Sequence, residues 1–163
     1  RAKKDIKRLL LQRGLLLGVK VTIKSNMNKK TDSAKRKFDD SVNDWVNRTG
    51  LYFRNQIMRD MTSSPPTGRT YTHYSSGKNK GKKRNKPHIA SSMGNPPRVD
   101  NGDLRSSIQY KRTGIGEGLV STNMDYAENL EIVLKRYFMS KQSSAYKNTL
   151  IRGKKFAKNI GIK

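Results

Sequence analysis

The sequence predicts an α+β protein: a long amphipathic helix packed on a small, mostly antiparallel sheet, with a long basic loop and a helical C-terminal segment. Three observations carry that prediction. From Ser33 to Met61 the apolar residues recur at three- and four-residue steps, the spacing of one helical face. Short runs near residues 19–24 and 108–122 have the character of strands, the first by strict alternation and the second by flanking a glycine-rich turn. The charge is also unevenly placed. Of 163 residues, 36 are Lys or Arg and 12 are Asp or Glu, a formal net charge of +24, and only 33% are hydrophobic. A core is possible at that apolar content only if it is concentrated in a few elements.

The charge map separates body from extensions. Residues 1–30 carry ten basic side chains against one acidic, residues 64–99 eight against none, and residues 132–163 nine against none. Residues 31–63 are nearly balanced and residues 100–131 are net acidic. The segments of near-zero or negative charge are also those with clear periodicity, so a folded body with basic extensions is expected. A field of this sign attracts nucleic acid, acidic protein surfaces or anionic lipid.

In chain order, residues 1–17 read as a basic N-terminal arm or short helix, with Ile6, Leu9 and Leu10 on related faces. The leucines around Gln12, Arg13 and Gly14 are too interrupted for a membrane span, and they lack the small-residue cleavage site of a signal peptide. Within residues 18–62, Val19, Val21 and Ile23 alternate with Lys20, Thr22 and Lys24 as a strand, and the long helix follows. Its stripe is Phe38, Val42, Trp45, Val46, Phe53, Ile57 and Met61, with Phe38, Val42, Trp45, Phe53, Ile57 and Met61 taken as the core helix residues. Some 29 residues make a rod of about 43 Å at 1.5 Å rise per residue. Gly50 is its soft spot, and Pro65-Pro66 ends the pattern.

Residues 63–99 hold all five prolines and the run from Lys78 to Lys86, and read as a long irregular basic loop. Residues 100–140 read as a short helix, a hairpin turning at Gly114-Ile115-Gly116-Glu117-Gly118, and a further helical turn bearing Tyr126 and Leu130. Residues 141–163 read as a basic C-terminal helix with a stripe of Tyr146, Leu150, Phe156, Ala157 and Ile160. The whole is expected to be a single domain.

The inventory of reactive groups argues against an enzyme. There is no Cys, hence no disulfide or thiolate metal site. His73 and His88 sit among lysines without an evident carboxylate partner, a setting that favours the neutral ring. Asp39, Asp40 and Asp44 are expected to form a solvated face balancing Lys35, Arg36 and Lys37. The acidic residues Asp100, Asp103, Glu117, Asp125, Glu128 and Glu131 show no paired spacing that would hold Mg²⁺. No catalytic residue, metal or cofactor is expected. Lys78, Lys80, Lys82, Lys83, Arg84 and Lys86 could neutralise several phosphates without reading bases, or could bridge protein subunits. The tyrosines Tyr71 and Tyr74 ahead of that run would permit stacking on a single strand.

Between residues 67 and 131 a series of landmarks occurs in order. Thr67-Gly68-Arg69-Thr70-Tyr71 is followed by the polar loop and by His88-Ile89-Ala90-Ser91-Ser92-Met93-Gly94-Asn95-Pro96-Pro97. Then come Val99-Asp100-Asn101-Gly102-Asp103-Leu104-Arg105-Ser106-Ser107-Ile108 and Val120-Ser121-Thr122-Asn123-Met124-Asp125-Tyr126-Ala127-Glu128-Asn129-Leu130-Glu131. This order resembles the tail-completion (neck, head–tail joining) family of long-tailed bacteriophages. The likeness covers roughly residues 31–140 with the long helix, and its motif positions are Pro97, Asp100, Gly102, Leu104, Arg105, Ile108, Asn123, Tyr126, Ala127 and Glu131. Asn101 stands where the family usually has Thr and Ser121 where it has Gly. Ile132-Val133 and Arg136-Tyr137-Phe138 also depart from the family pattern after Glu131.

The resemblance implies a non-catalytic structural protein of the virion neck, a homo-oligomeric ring around the DNA channel assembled in the host cytoplasm. It implies on the order of six or twelve copies in head-to-tail contact. Head-completion proteins and tail-terminator or tail-tube proteins would be the neighbours, with genomic DNA in the channel a further candidate partner and no membrane involved. Within the motif, Asp100 or Asn101 would cap the helix opened by Gly102, and Leu104 and Ile108 would form a buried pair. Arg105 would face out or toward an acidic neighbour, and Glu131 would be left for a subunit contact. The alternative is a basic nucleic-acid-binding structural protein, ribosomal-like or nucleoid-like, since those also join a small α+β body to basic extensions.

Overall fold

The computed structural model describes residues 19–22, 32–74 and 78–159. The basic N-terminal arm, the continuation of the first strand through Ile23, and Ile160 lie outside the described residues. The chain is of the α+β class. Strand β1 (Val19–Thr22) is followed by helix α1 (Asp32–Thr62), then by strands β2 (Thr70–His73) and β3 (Lys83–Ile89). Helix α2 (Asp103–Ser107), strands β4 (Gln109–Gly114) and β5 (Glu117–Ser121), a π-helical turn (Asn129–Val133) and helix α3 (Ser144–Asn159) complete it.

Helix α1 has 31 residues and is about 46 Å long at 1.5 Å per residue. Its stripe buries Val42, Val46, Phe53, Ile57 and Met61. Phe38 and Trp45, both expected in the core, are only half-buried. The Trp45 indole N–H donates to the carbonyl of Gly153 at 2.7 Å, so the ring lies at the seam between α1 and α3 and keeps a polar partner there. The core continues through Leu104, Ile108, Val120, Ala127, Phe138, Met139 and Ala145, with Tyr110 of β4 and Leu130 of the π-helical turn packed against it, so every element from α1 onward except the β2–β3 hairpin contributes. Phe53 meets Tyr146 edge to face, with ring centroids 6.2 Å apart.

One sheet has the order β1-β5-β4, antiparallel throughout, with Val19 opposite Val120 and Tyr110 opposite the same Val120 from the other side. The hairpin turns where the glycine-rich pentapeptide predicts. Gly116 has φ 68°, and its N–H donates to Asn43 Oδ1 of α1 at 3.0 Å. Gly50 is more than a soft spot. The Tyr110 ring lies against it, with its hydroxyl donating to Asn47 Oδ1 at 2.8 Å, and a Cβ at Gly50 would fall 2.2 Å from the ring. A Cβ at Gly118 would stand 2.6 Å from the same ring. Two glycines on two elements thus make the slot that docks the helix on the sheet.

Two expectations are corrected here. Residues 63–99 are not one irregular loop: β2 and β3 pair within them as a two-stranded antiparallel sheet. The stripe on α3 is also shifted. Leu150 is exposed, and the buried line is Ala145, Thr149 and Gly153, at four-residue steps. These small residues let α3 approach α1 closely, and a Cβ on Gly153 would lie 3.3 Å from Thr49 Cγ2.

Candidate functional site

Six of the ten motif positions, Pro97, Asp100, Gly102, Leu104, Arg105 and Tyr126, line one cleft between the β2–β3 hairpin, the end of α1, α2 and the π-helical turn. The cleft has a volume of about 370 Å³. Its construction starts from a bulge. Between the paired positions Tyr71/His88 and His73/Lys83, β3 has more residues than β2, and such an insertion re-aims side chains. Arg84 lies in that insertion. It grips Asp100 with both terminal nitrogens, each 2.5 Å from a carboxylate oxygen, and its Nε donates to the carbonyl of His73 at 3.1 Å. Its guanidinium also covers the Tyr74 ring at 4.2 Å. A fork-on-fork pair of this kind fixes orientation as well as position. The Arg84 side chain is only 7% exposed, and its pairing with Asp100 raises its pKa above the ordinary arginine value.

Asp100 also stands 3.7 Å from His88 Nδ1, so His88 has the carboxylate neighbour that the sequence did not reveal. The His88 ring stacks on Tyr71, its cross-strand partner, at 6.5 Å, and Arg69 lies over Tyr71 at 5.6 Å. Burial lowers the His88 pKa; Asp100 opposes that, and Arg84, Arg98 and Arg136 reinforce it. The neutral ring is therefore favoured despite the carboxylate.

On the opposite wall, Gly102 opens α2 with φ 92°, a left-handed conformation suited to glycine. Asn101 rather than Asp100 serves the helix start, accepting the Asp103 N–H at 3.3 Å, while Asp100 is held by Arg84. Leu104 and Ile108 are the expected buried pair. Arg105 lines the cleft and donates to Thr62 Oγ1 at 3.2 Å. Tyr126 also lines it. Burial raises its pKa first, Asp103 and Asp100 add to that, and a hydrogen bond with the Leu104 backbone opposes it.

Glu131 is not at a contact surface. It is 3% exposed, and its Oε1 accepts the backbone N–H groups of Phe138, at 2.8 Å, Met139, at 2.5 Å, and Ser140, at 3.2 Å. The carboxylate pins the 138–140 segment, and with it Phe138 and Met139, to the core. The preceding turn leaves Ile132 and Val133 exposed at 62% and 66%. No family model, curated protein or solved structure matches this chain.

The other sequence-predicted positions divide. Pro97 is buried in the cleft wall, Ala127 is in the core, and Asn123 is exposed outside the cleft. Lys78, Lys80, Lys82, Lys83 and Lys86 are exposed on the hairpin. Arg84 must be removed from that set, because Asp100 already occupies it. Of Asp39, Asp40 and Asp44, the last pairs with Arg48 at 2.8 Å, and no ion pair joins Asp39 or Asp40 to the preceding lysines and arginine among the described residues. Arg98 and Arg136, which no local motif marks, line the cleft; Arg98 donates to the Ile89 carbonyl at 3.0 Å. Among the described residues there is no group of three or more His, Cys, Asp or Glu that could hold a metal ion, and no helix long and apolar enough to cross a membrane.

Proposed function

We propose that this chain is a non-catalytic structural protein of the phage neck, forming a ring that completes the tail and joins it to the head around the DNA channel. The observation that carries the reading is the behaviour of the ordered motif. Pro97, Asp100, Gly102, Leu104, Arg105 and Tyr126 surround one cleft, Ile108 and Ala127 lie in the core, and Glu131 staples the next segment. Residues far apart in the motif thus serve one folded unit, which suits a body that presents a fixed surface to neighbours. The long helix backing the small sheet gives that unit the stiffness a ring subunit needs.

In this reading the exposed hairpin lysines and the basic C-terminal helix face acidic rings above and below, or DNA in the channel. The alternative is a nucleic-acid-binding structural protein, favoured by the five exposed lysines of the hairpin. Deleting the gene separates the two. A neck protein leaves filled heads and finished tails unjoined, visible by electron microscopy and rescued by the intact chain. Normal particles, or a defect confined to nucleic-acid packaging or translation, would favour the alternative.

A further inference from the structure

The cleft combines two properties that a phosphate-tracking surface does not need together. Its floor is apolar, made by Met61, Ala90, Pro97, Leu104 and Leu130, and the more exposed Leu134 extends that lining. Its rim carries Arg98, Arg105 and Arg136, none of which has a carboxylate partner among the described residues. The one carboxylate in the cleft wall, Asp100, is already neutralised by Arg84. The rim is therefore positive and unanswered, above a floor that water covers at a cost.

We infer that this cleft is a docking site for an acidic segment of a different protein, one that inserts an apolar side chain flanked by carboxylates. This rests on the assembly reading above and names the contact through which it would operate. The floor takes the apolar side chain, and Arg98 and Arg136 take the carboxylates on either side. The site is pre-organised: the Arg84–Asp100 pair fixes one wall, and the bond from Arg105 to Thr62 fixes part of the other, so little ordering remains for binding. The volume of about 370 Å³ lies within the range of ligand pockets.

Charge complementarity selects the occupant. A nucleic-acid backbone would satisfy the arginines but leave the apolar floor unfilled, and the exposed hairpin lysines already offer a better surface for phosphates. A second copy of this chain is a poor donor. It has 12 acidic residues in all, and six of them lie in residues 100–131, the block that itself builds much of the cleft. Of those six, Glu131 is buried against backbone amides and Asp100 is paired. Asp44 and Asp60, on α1, are likewise engaged, with Arg48 and with Gln56 and Ser144. A partner of opposite charge has no such shortage.

The test uses the full chain, isotopically labelled, at about 0.15 M salt so that the general field is screened beyond about 8 Å. Three probes are titrated: a blocked pentapeptide Asp-Leu-Glu-Leu-Asp, a blocked hexa-aspartate, and an oligothymidylate of ten nucleotides. The pentapeptide is expected to bind more tightly than hexa-aspartate despite its smaller charge, and to shift the methyl resonances of Leu104, Leu134 and Ala90. The double variant R98Q/R136Q should weaken it by about tenfold or more, as loss of charge-assisted bonds requires. The control K80Q/K82Q, with the same change in charge on the exposed hairpin, should alter it less than about twofold. Arg136→Gln alone, which removes no side-chain hydrogen bond within the described fold, should give an intermediate loss in a chain that still folds. The proposal is overturned if hexa-aspartate binds as well, if the two double variants weaken binding equally, or if oligothymidylate produces the same methyl shifts. It is also overturned if R98Q/R136Q abolishes self-association of the wild type, which would make the occupant a second copy. Loss of peptide binding in a chain that still joins heads to tails would end this inference alone. Intact peptide binding in a chain dispensable for joining would end the neck reading instead.

Discussion

Glu131 and Gly50 each do something that their residue types do not announce. One oxygen of Glu131 answers three backbone amides, while the other, Oε2, has no hydrogen-bond partner among the described residues. Glu131→Ala strands those buried donors and should destabilise the fold by about 3 kcal/mol, the cost of unpaired buried groups. Glu131→Gln keeps a carbonyl for the amides and can turn its NH₂ toward the unpartnered side, so a loss nearer 1 kcal/mol is expected. Urea unfolding of both variants checks the order; equal small losses would mean that the segment holds itself. At Gly50, helix propensity alone favours alanine by about 1 kcal/mol. The Tyr110 ring stands where the new Cβ would go, so Gly50→Ala should instead destabilise by about 1–3 kcal/mol through overpacking. In a Tyr110→Ala background the same substitution should become neutral or stabilising. A sign that does not change between backgrounds would refute the slot. Neither role is legible in the sequence, because each depends on a partner 60 residues away in one case and on backbone amides in the other.

Elements with a strong local signal read correctly, and elements held by distant pairs did not. Helix α1 declares itself through its stripe, and the β4–β5 hairpin through its glycines. The β2–β3 hairpin has no such signal. Thr70–His73 and Lys83–Ile89 lack alternating apolar residues, and β3 contains Pro87, tolerated because a two-stranded sheet leaves each strand one free edge. What stabilises it is the Tyr71–His88 stack and the Arg84–Asp100 pair, both of which join residues remote in sequence. The same reasoning explains why the cleft was invisible: its motif residues could be named, His88 among the landmarks, but nothing local sets His88 beside Asp100 or Arg98 and Arg136 on its lining. At this scale the hairpin should respond to pH. His88 is depressed in the folded state, so between its ordinary value near 6.5 and its lower folded value the unfolded chain binds the extra proton. Stability should therefore fall as pH drops from 7 toward 5, before carboxylates titrate in number. His88→Gln should flatten that decline in urea midpoints measured at pH 7, 6 and 5. An unchanged slope would show that the ring is not held neutral by its burial and the surrounding arginines.

On the scale of the whole molecule, a charge of +24 on 163 residues is a large self-repulsion. The body concentrates its apolar residues in one core, places five lysines on an exposed hairpin, and sets an arginine rim around an apolar cleft. That division suits a component that is rigid at its centre and adhesive at its margins. The sequence indicated the division through its alternating blocks of charge, but the inward-facing work of Arg84 and Glu131 required the three-dimensional arrangement. The measurement that addresses the central claim most directly is the composition and image reconstruction of purified tailed particles made from the genome encoding this chain. The account predicts that the chain is present and that density at the head–tail junction accommodates a closed ring of bodies, each built on the α1 helix. Particles that infect normally without the chain, or the chain recovered only with ribosomes or bulk nucleic acid, would contradict it.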